Sequence, residues 1–266
     1  MIAGGEVFGA LVRALRPYAN DIVYVGGWVH ALYLLRAEGP TARTVMTGDV
    51  DLTLPGNLPA GRRPPLVELI RQAGFQVQPY DEASGLLEIY LGGMDLDLLT
   101  EAPSPRETVR IQGQSDLHVQ GYPFQAMLRE SSHVMLVGDE VDPAMVQPVE
   151  ILIPTLPAYT VGKLLSMPLR TSRGKQAKDL VYVSEILARD QLREEVARGV
   201  HHLGEQYPRE VREAGENLGR AIKDRTLVAA AARQLIEGSG YGLADPSPVR
   251  AGLLARLRRF HGECWA

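Results

Sequence analysis

A pair of glycines and a handful of aspartates carry the chemistry legible in this 266-residue chain. Asp49-Val50-Asp51 sets two carboxylates two positions apart inside an apolar run. In a β-strand that spacing turns both to one face. Met94-Asp95-Leu96-Asp97-Leu98 repeats the alternation, with Asp97 as the third acid and Asp95, on the same strand face, as the alternative for its place. Carboxylates in a central strand are costly to bury without a cation. Oxygen donors of this kind suit Mg²⁺, and two such ions can polarise a nucleotide's α-phosphate and stabilise the attacking and leaving oxygens. Upstream, Gly26-Gly27 closes the β-branched run from Asp21 and is followed at once by a helix-compatible segment from Trp28. Glycines there let phosphate oxygens approach the backbone, and a helix start aims free N–H groups at the same spot. An Asp-x-Asp alone is common among surface carboxylates beside turns; its combination with the glycine turn and a later strand acid is what points to metal-assisted phosphate chemistry.

The elements that must hold these residues follow from periodicity. Apolar positions at helical spacing predict a helix over 6–16, ended by Pro17. A strand over 22–25, a helix over 28–35, a polar loop over 37–46 with Arg43, and a strand over 45–54 follow. Pro64-Pro65 opens a helix carrying Leu66, Leu69 and Ile70, with Gly74 as its cap. A short strand over 75–78 precedes a hairpin, 86–91 and 94–99, turned at Gly92-Gly93. Segments 133–137 and 149–153 are further strands, while 101–125 is loop-rich. Beyond Pro154 every segment has helical texture: 158–167, 177–188, 191–207, 209–223, 227–236 and 247–261. The expected class is α+β, a mixed sheet with flanking helices over 1–155 followed by an all-helical domain over 156–266.

Composition narrows the classes. Hydrophobic and charged fractions of 45% and 23% are those of a water-soluble globular protein. A net charge of −4 argues against wholesale nucleic-acid binding, though not against a local basic groove. Cys264 is the sole cysteine, which excludes an intrachain disulfide and fits a cytoplasmic setting. No secretory signal opens the chain, and the longest apolar run, 22–35, is too short to cross a bilayer, so no membrane partner is expected.

Gly26-Gly27, Asp49-Val50-Asp51 and Asp97 together resemble the signature of the polymerase-β-like nucleotidyltransferase superfamily. The long gap between turn and acid pair looks most like the AbiEii-type and MenT-type toxins. In that group a basic and a hydroxyl residue precede the pair, positions matched here by Arg43 and Thr47. A later Lys, an Arg and a Lys-Asp pair also recur, matched by Lys163, Arg170 or Arg173, and Lys178-Asp179. The resemblance covers about residues 20 to 185. It departs from the pattern in carrying Gly48 directly before Asp49. It implies a nucleotidyltransferase-like sheet and catalytic domain, with Asp49, Asp51 and Asp97 holding two Mg²⁺ ions (Mn²⁺ substituting) and Asp97 helping deprotonate the acceptor. Gly26, Gly27, Trp28 and Thr47 would hold the NTP, and Lys163, Arg173 and Lys178 would neutralise its triphosphate. The implied reaction moves an NMP from the NTP to a hydroxyl and releases pyrophosphate. The implied acceptor is RNA, such as a tRNA end, in a toxin–antitoxin setting with an antitoxin protein as partner. A small hydroxylated molecule such as an antibiotic is the rival acceptor, and a non-catalytic nucleotide-binding module the rival class.

Each remaining cluster has a plainer reading. Lys163 reads equally as a solvated helix residue, and Lys178-Asp179 as a surface ion pair. His30 reads as a partner-satisfied histidine. His201-His202 with Glu205 lacks the pairing of a zinc helix and reads as a solvated face. Arg250, Arg256, Arg258 and Arg259, alternating with leucines, make a basic amphipathic helix, one side core and the other solvent or RNA backbone.

Overall fold

The computed structural model describes residues 4–39, 48–81, 83–239 and 245–265. The chain is α+β, with a mixed nine-stranded sheet and a helical C-terminal part. It divides into two compact units. One holds the chain up to Val29 and from the second strand through Pro154. The other holds the later part of the second helix and the chain from Thr155 onward.

In the first unit the strands are β1 Val23–Val25, β2 Asp49–Thr53, β3 Gln76–Asp81, β4 Leu86–Leu91, β5 Met94–Glu101, β6 Glu107–Arg110, β7 His118–Tyr122, β8 Ser132–Val137 and β9 Val149–Pro154. Their order is β3-β4-β7-β5-β2-β1-β9-β8, with β6 paired to β7. The acid-bearing strands β2 and β5 are therefore central neighbours, and they run parallel. Their Val50, Leu52, Leu96 and Leu98 are all buried. That alternation fixes register, because a slip of one residue would turn the leucines out and the aspartates in. Helices α1 Gly5–Ala14, α3 Leu66–Gln72 and α4 Gln125–Glu130 pack around this sheet. Phe8 of α1 stacks on Trp28 with ring centroids 4.2 Å apart.

Helix α2 spans Gly26–Glu38, so the two glycines form its first turn rather than a loop before it. The region 101–125, expected to be loop-rich, contains β6 and β7. The expected hairpin 86–91/94–99 exists, with positive φ at both Gly92 and Gly93, but it pairs only beside its turn, at Tyr90 with Asp95 and Leu91 with Met94. Beyond that point the strands part, and β7 lies between them, parallel to both.

The second unit contains α5 Leu156–Ser166, α6 Arg173–Leu187, α7 Asp190–Gln206, α8 Pro208–Lys223, α9 Arg225–Ser239 and α10 Ser247–Trp265. Residues 156–165 of α5 are buried without exception. A helix buried on every side belongs at the centre of a bundle, and α6, α7 and α8 surround it. Among the described residues no helix is long and apolar enough to cross a membrane.

Candidate functional site

Register brings the acids together. Asp49 lies opposite Asp95 and Asp51 opposite Asp97 across the parallel β2–β5 ladder. Paired residues of neighbouring strands share a face, so four carboxylates form a two-by-two patch with the side opposite the leucines. Asp95 and Asp97 are exposed; Asp49 and Asp51 are half-buried. Water reaches the patch, while the strands that carry it are anchored in the core.

The glycine turn meets this patch directly. On its other side β2 pairs antiparallel with β1, placing Val25, the residue before Gly26, opposite Asp51. Gly26 has φ +77°, and a Cβ at that position would come within 1.7 Å of Asp51 Oδ2. The carboxylate thus occupies the volume any side chain at position 26 would need. The first turn of α2, whose leading N–H groups have no partner within their own helix, starts beside an acid of the patch.

As a divalent-cation site the donor set is chemically apt: oxygen only, four carboxylates, accessible to solvent. The side chains stand apart along two strands, and among the described residues no group of three or more His, Cys, Asp or Glu is gathered closely enough to hold a metal. The donors fit Mg²⁺ in kind and in face. A bound ion would have to draw them inward.

The other expected site residues fall as follows. Trp28 is fully buried against Phe8 and belongs to the core. Thr47 and Arg43 lie outside the described residues. Lys163, in α5, is not a solvated helix residue: it is 6% exposed, and its Nζ donates to Asp179 Oδ1 at 3.0 Å. Arg170 Nε donates to the other oxygen of Asp179 at 2.9 Å, and the Ser166 hydroxyl donates to it as well. Asp179 is therefore a buried hub, which corrects the reading of Lys178-Asp179 as a surface pair. Burial pushes the Asp179 carboxyl up, but the Lys163 and Arg170 charges and their hydrogen bonds outweigh it and hold it below the usual carboxylate range. Lys178 lies half-buried with its ammonium 5.9 Å from the Tyr182 ring centroid. Arg173 pairs with Asp224 at 2.8 Å and donates to the Thr226 hydroxyl.

Two associations bring in partners that the sequence did not identify. His30 Nε2 lies 2.7 Å from Glu185 Oε2, 155 residues away in the chain. Burial lowers the His30 pKa despite the raising effect of Glu185, so a neutral imidazole donates this bond. The second association is a groove between α8 and α10, described below. His202 and Glu205 form an exposed pair at 3.1 Å. Burial and then Glu263 push the Cys264 thiol up to about 12, so it is no nucleophile at neutral pH.

No protein-family model, curated protein or solved structure matches the chain.

Proposed function

We propose that the protein is a Mg²⁺-dependent nucleotidyltransferase with a nucleotidyltransferase-like sheet, transferring an NMP from an NTP to a hydroxyl of RNA. The observation that carries this reading is the register of Asp49 with Asp95 and Asp51 with Asp97, set against the tight turn at Gly26. Asp49, Asp51 and Asp97 would hold the metal, with Asp95 alongside. When bound, Mg²⁺ would neutralise phosphate oxygens and lower the charge barrier to attack at the α-phosphorus.

The chain's own residues have three tasks. The first turn of α2, which starts beside the Asp51 carboxylate that fills the space left at Gly26, binds phosphate oxygens through its backbone N–H groups. The carboxylates of Asp49, Asp51 and Asp97 would hold Mg²⁺ beside that turn, and fixing the reactants there favours an aligned attack over a chance encounter. The Asp97 carboxylate takes the proton of the acceptor hydroxyl. The hydroxyl oxygen then bonds to the α-phosphorus while the bond from that phosphorus to the α,β-bridging oxygen breaks. The electron pair leaves with pyrophosphate.

The test is transfer of label from each of the four α-labelled NTPs to total RNA with Mg²⁺ or Mn²⁺. Labelled RNA is expected with the native protein, and a loss of about a hundredfold or more with Asp51→Asn or Asp49→Asn. Full turnover in both variants, or label passing to no RNA, overturns the reading.

A further inference from the structure

The helical unit contains a groove whose chemistry the transfer site does not use. Between α8 and α10 lies a cavity of about 590 Å³ lined by Arg212, Arg220, Lys223 and Arg258, with Glu216 its single carboxylate. A second cavity of about 280 Å³ continues it toward α9, sharing Lys223 and Arg258 and adding Arg225 and Arg250. Six cations face one acid in a chain whose net charge is −4. Arg212, Lys223, Arg225 and Arg258 are exposed. Glu216 is already engaged, 4.0 Å from Arg220.

The layout distinguishes a chain-like ligand from a compact one. From Arg212 to Lys223 is eleven residues of helix, about 16 Å, and the two cations on α10 lie about 12 Å apart. A single phosphate or diphosphate would meet one end of this strip only. Arginine predominates, and its planar fork pairs bidentately with phosphate oxygens as it does with carboxylates, so poly-glutamate is the rival ligand that the test includes. Beneath the cations the walls are held rigidly. Gly215 lets the Trp265 ring lie directly on α8, and Trp265 Nε1 donates to Val211 O at 2.8 Å.

We infer that the α8–α10 groove binds the phosphodiester backbone of a single-stranded nucleic acid through Arg212, Lys223, Arg225, Arg250 and Arg258. The inference is independent of the transfer reaction, and its test contains neither free NTP nor metal. A failure here therefore leaves the transfer reading to its own assay.

The probes are fluorescently labelled uridine and thymidine 12-mers, titrated with the full chain and read by anisotropy between 50 and 200 mM salt. Trp265 gives a second readout, since Trp28, the other tryptophan, is buried in the sheet unit. Affinity is expected to fall with salt, and the log–log slope of the Arg212→Gln/Arg258→Gln double variant to be shallower by about 1.4, the share of two phosphate contacts on a single strand. Arg225→Gln/Arg250→Gln, at the other end of the groove, gives the same readout should the first pair fail to fold. Binding of both 12-mers, or of one preferentially, supports backbone recognition and names its source. Absence of binding to either 12-mer at 50 mM salt overturns the inference. So does an unchanged slope in a folded double variant, or equal competition by poly-glutamate.

Discussion

The Asp51 carboxylate lies where the Cβ of any other residue at position 26 would stand, and this makes Gly26 the most exacting single position of the carboxylate patch. Gly26→Ala would place a methyl 1.7 Å from Oδ2 on a backbone already in the left-handed region. The conformational cost alone is about 1–2 kcal/mol, and displacing a packed neighbour adds a similar amount. A loss of at least about 2 kcal/mol in urea unfolding is expected; a change under 0.5 would show that Asp51 yields freely. At Lys163 the issue is charge. With Lys163→Met, Asp179 keeps Arg170 but loses its buried partner, and destabilisation of about 3–5 kcal/mol is expected from a half-broken buried pair. Pairing Lys163→Met with Asp179→Asn should recover part of that loss. Equal stability of the single and double variants would refute the hub role.

Among the elements, the α8–α10 contact depends on Gly215, where a Cβ would meet the Trp265 ring at 2.5 Å. Gly215→Val should therefore separate the two helices locally, lowering stability by about 1–3 kcal/mol and red-shifting Trp265 emission. Unaltered emission would mean that the ring does not rest there. The same scale explains what was legible beforehand. Strands β2 and β5 announce themselves because the aspartates alternate with apolar residues, and a strand with one face core and the other carboxylate has only one workable register. The helices after Pro154 are legible from their spacing and breakers. Strand β7 was not: His118-Val119-Gln120-Gly121-Tyr122 has one aliphatic residue, and what holds it there is the gap left by the parting hairpin, a tertiary circumstance with no local trace. The glycine turn was half-legible: a tight turn after the strand was foreseen, but not its inclusion in α2, nor that the Asp51 carboxylate fills the space at Gly26. Lys163 misled for the opposite reason. A lysine at helical spacing reads as solvated until its partner, sixteen residues on, is seen to be buried beside it.

At the scale of the molecule, the buried titratable groups with resolved shifts divide between the units, and this predicts a staged response to acid. In the helical unit, burial lowers the His30 pKa below its ordinary 6.5. A base that resists protonation when folded but accepts it when unfolded gives its full contribution above about pH 6.5, and that contribution drains away as pH falls toward the depressed value. Asp179, also helical and also lowered, acts later: its contribution is complete above the ordinary carboxylate pKa of 3.8 and is lost only as pH drops through the lower folded value. Asp142 of the sheet unit is lowered too: burial raises it, but Arg13 and the Ala144 N–H outweigh that, so it belongs to the second stage. Lowering the pH from 7 to 5 should accordingly reduce amide protection factors, which allow for the slower intrinsic exchange in acid, in α5 and α6, around His30 and Glu185, before it affects β2 and β5. His30→Gln, which keeps a donor for Glu185 but cannot titrate, should flatten that first stage and leave the later one intact. A simultaneous fall of protection factors in both units between pH 7 and 5, or an undiminished first stage in His30→Gln, would place the titrating group elsewhere.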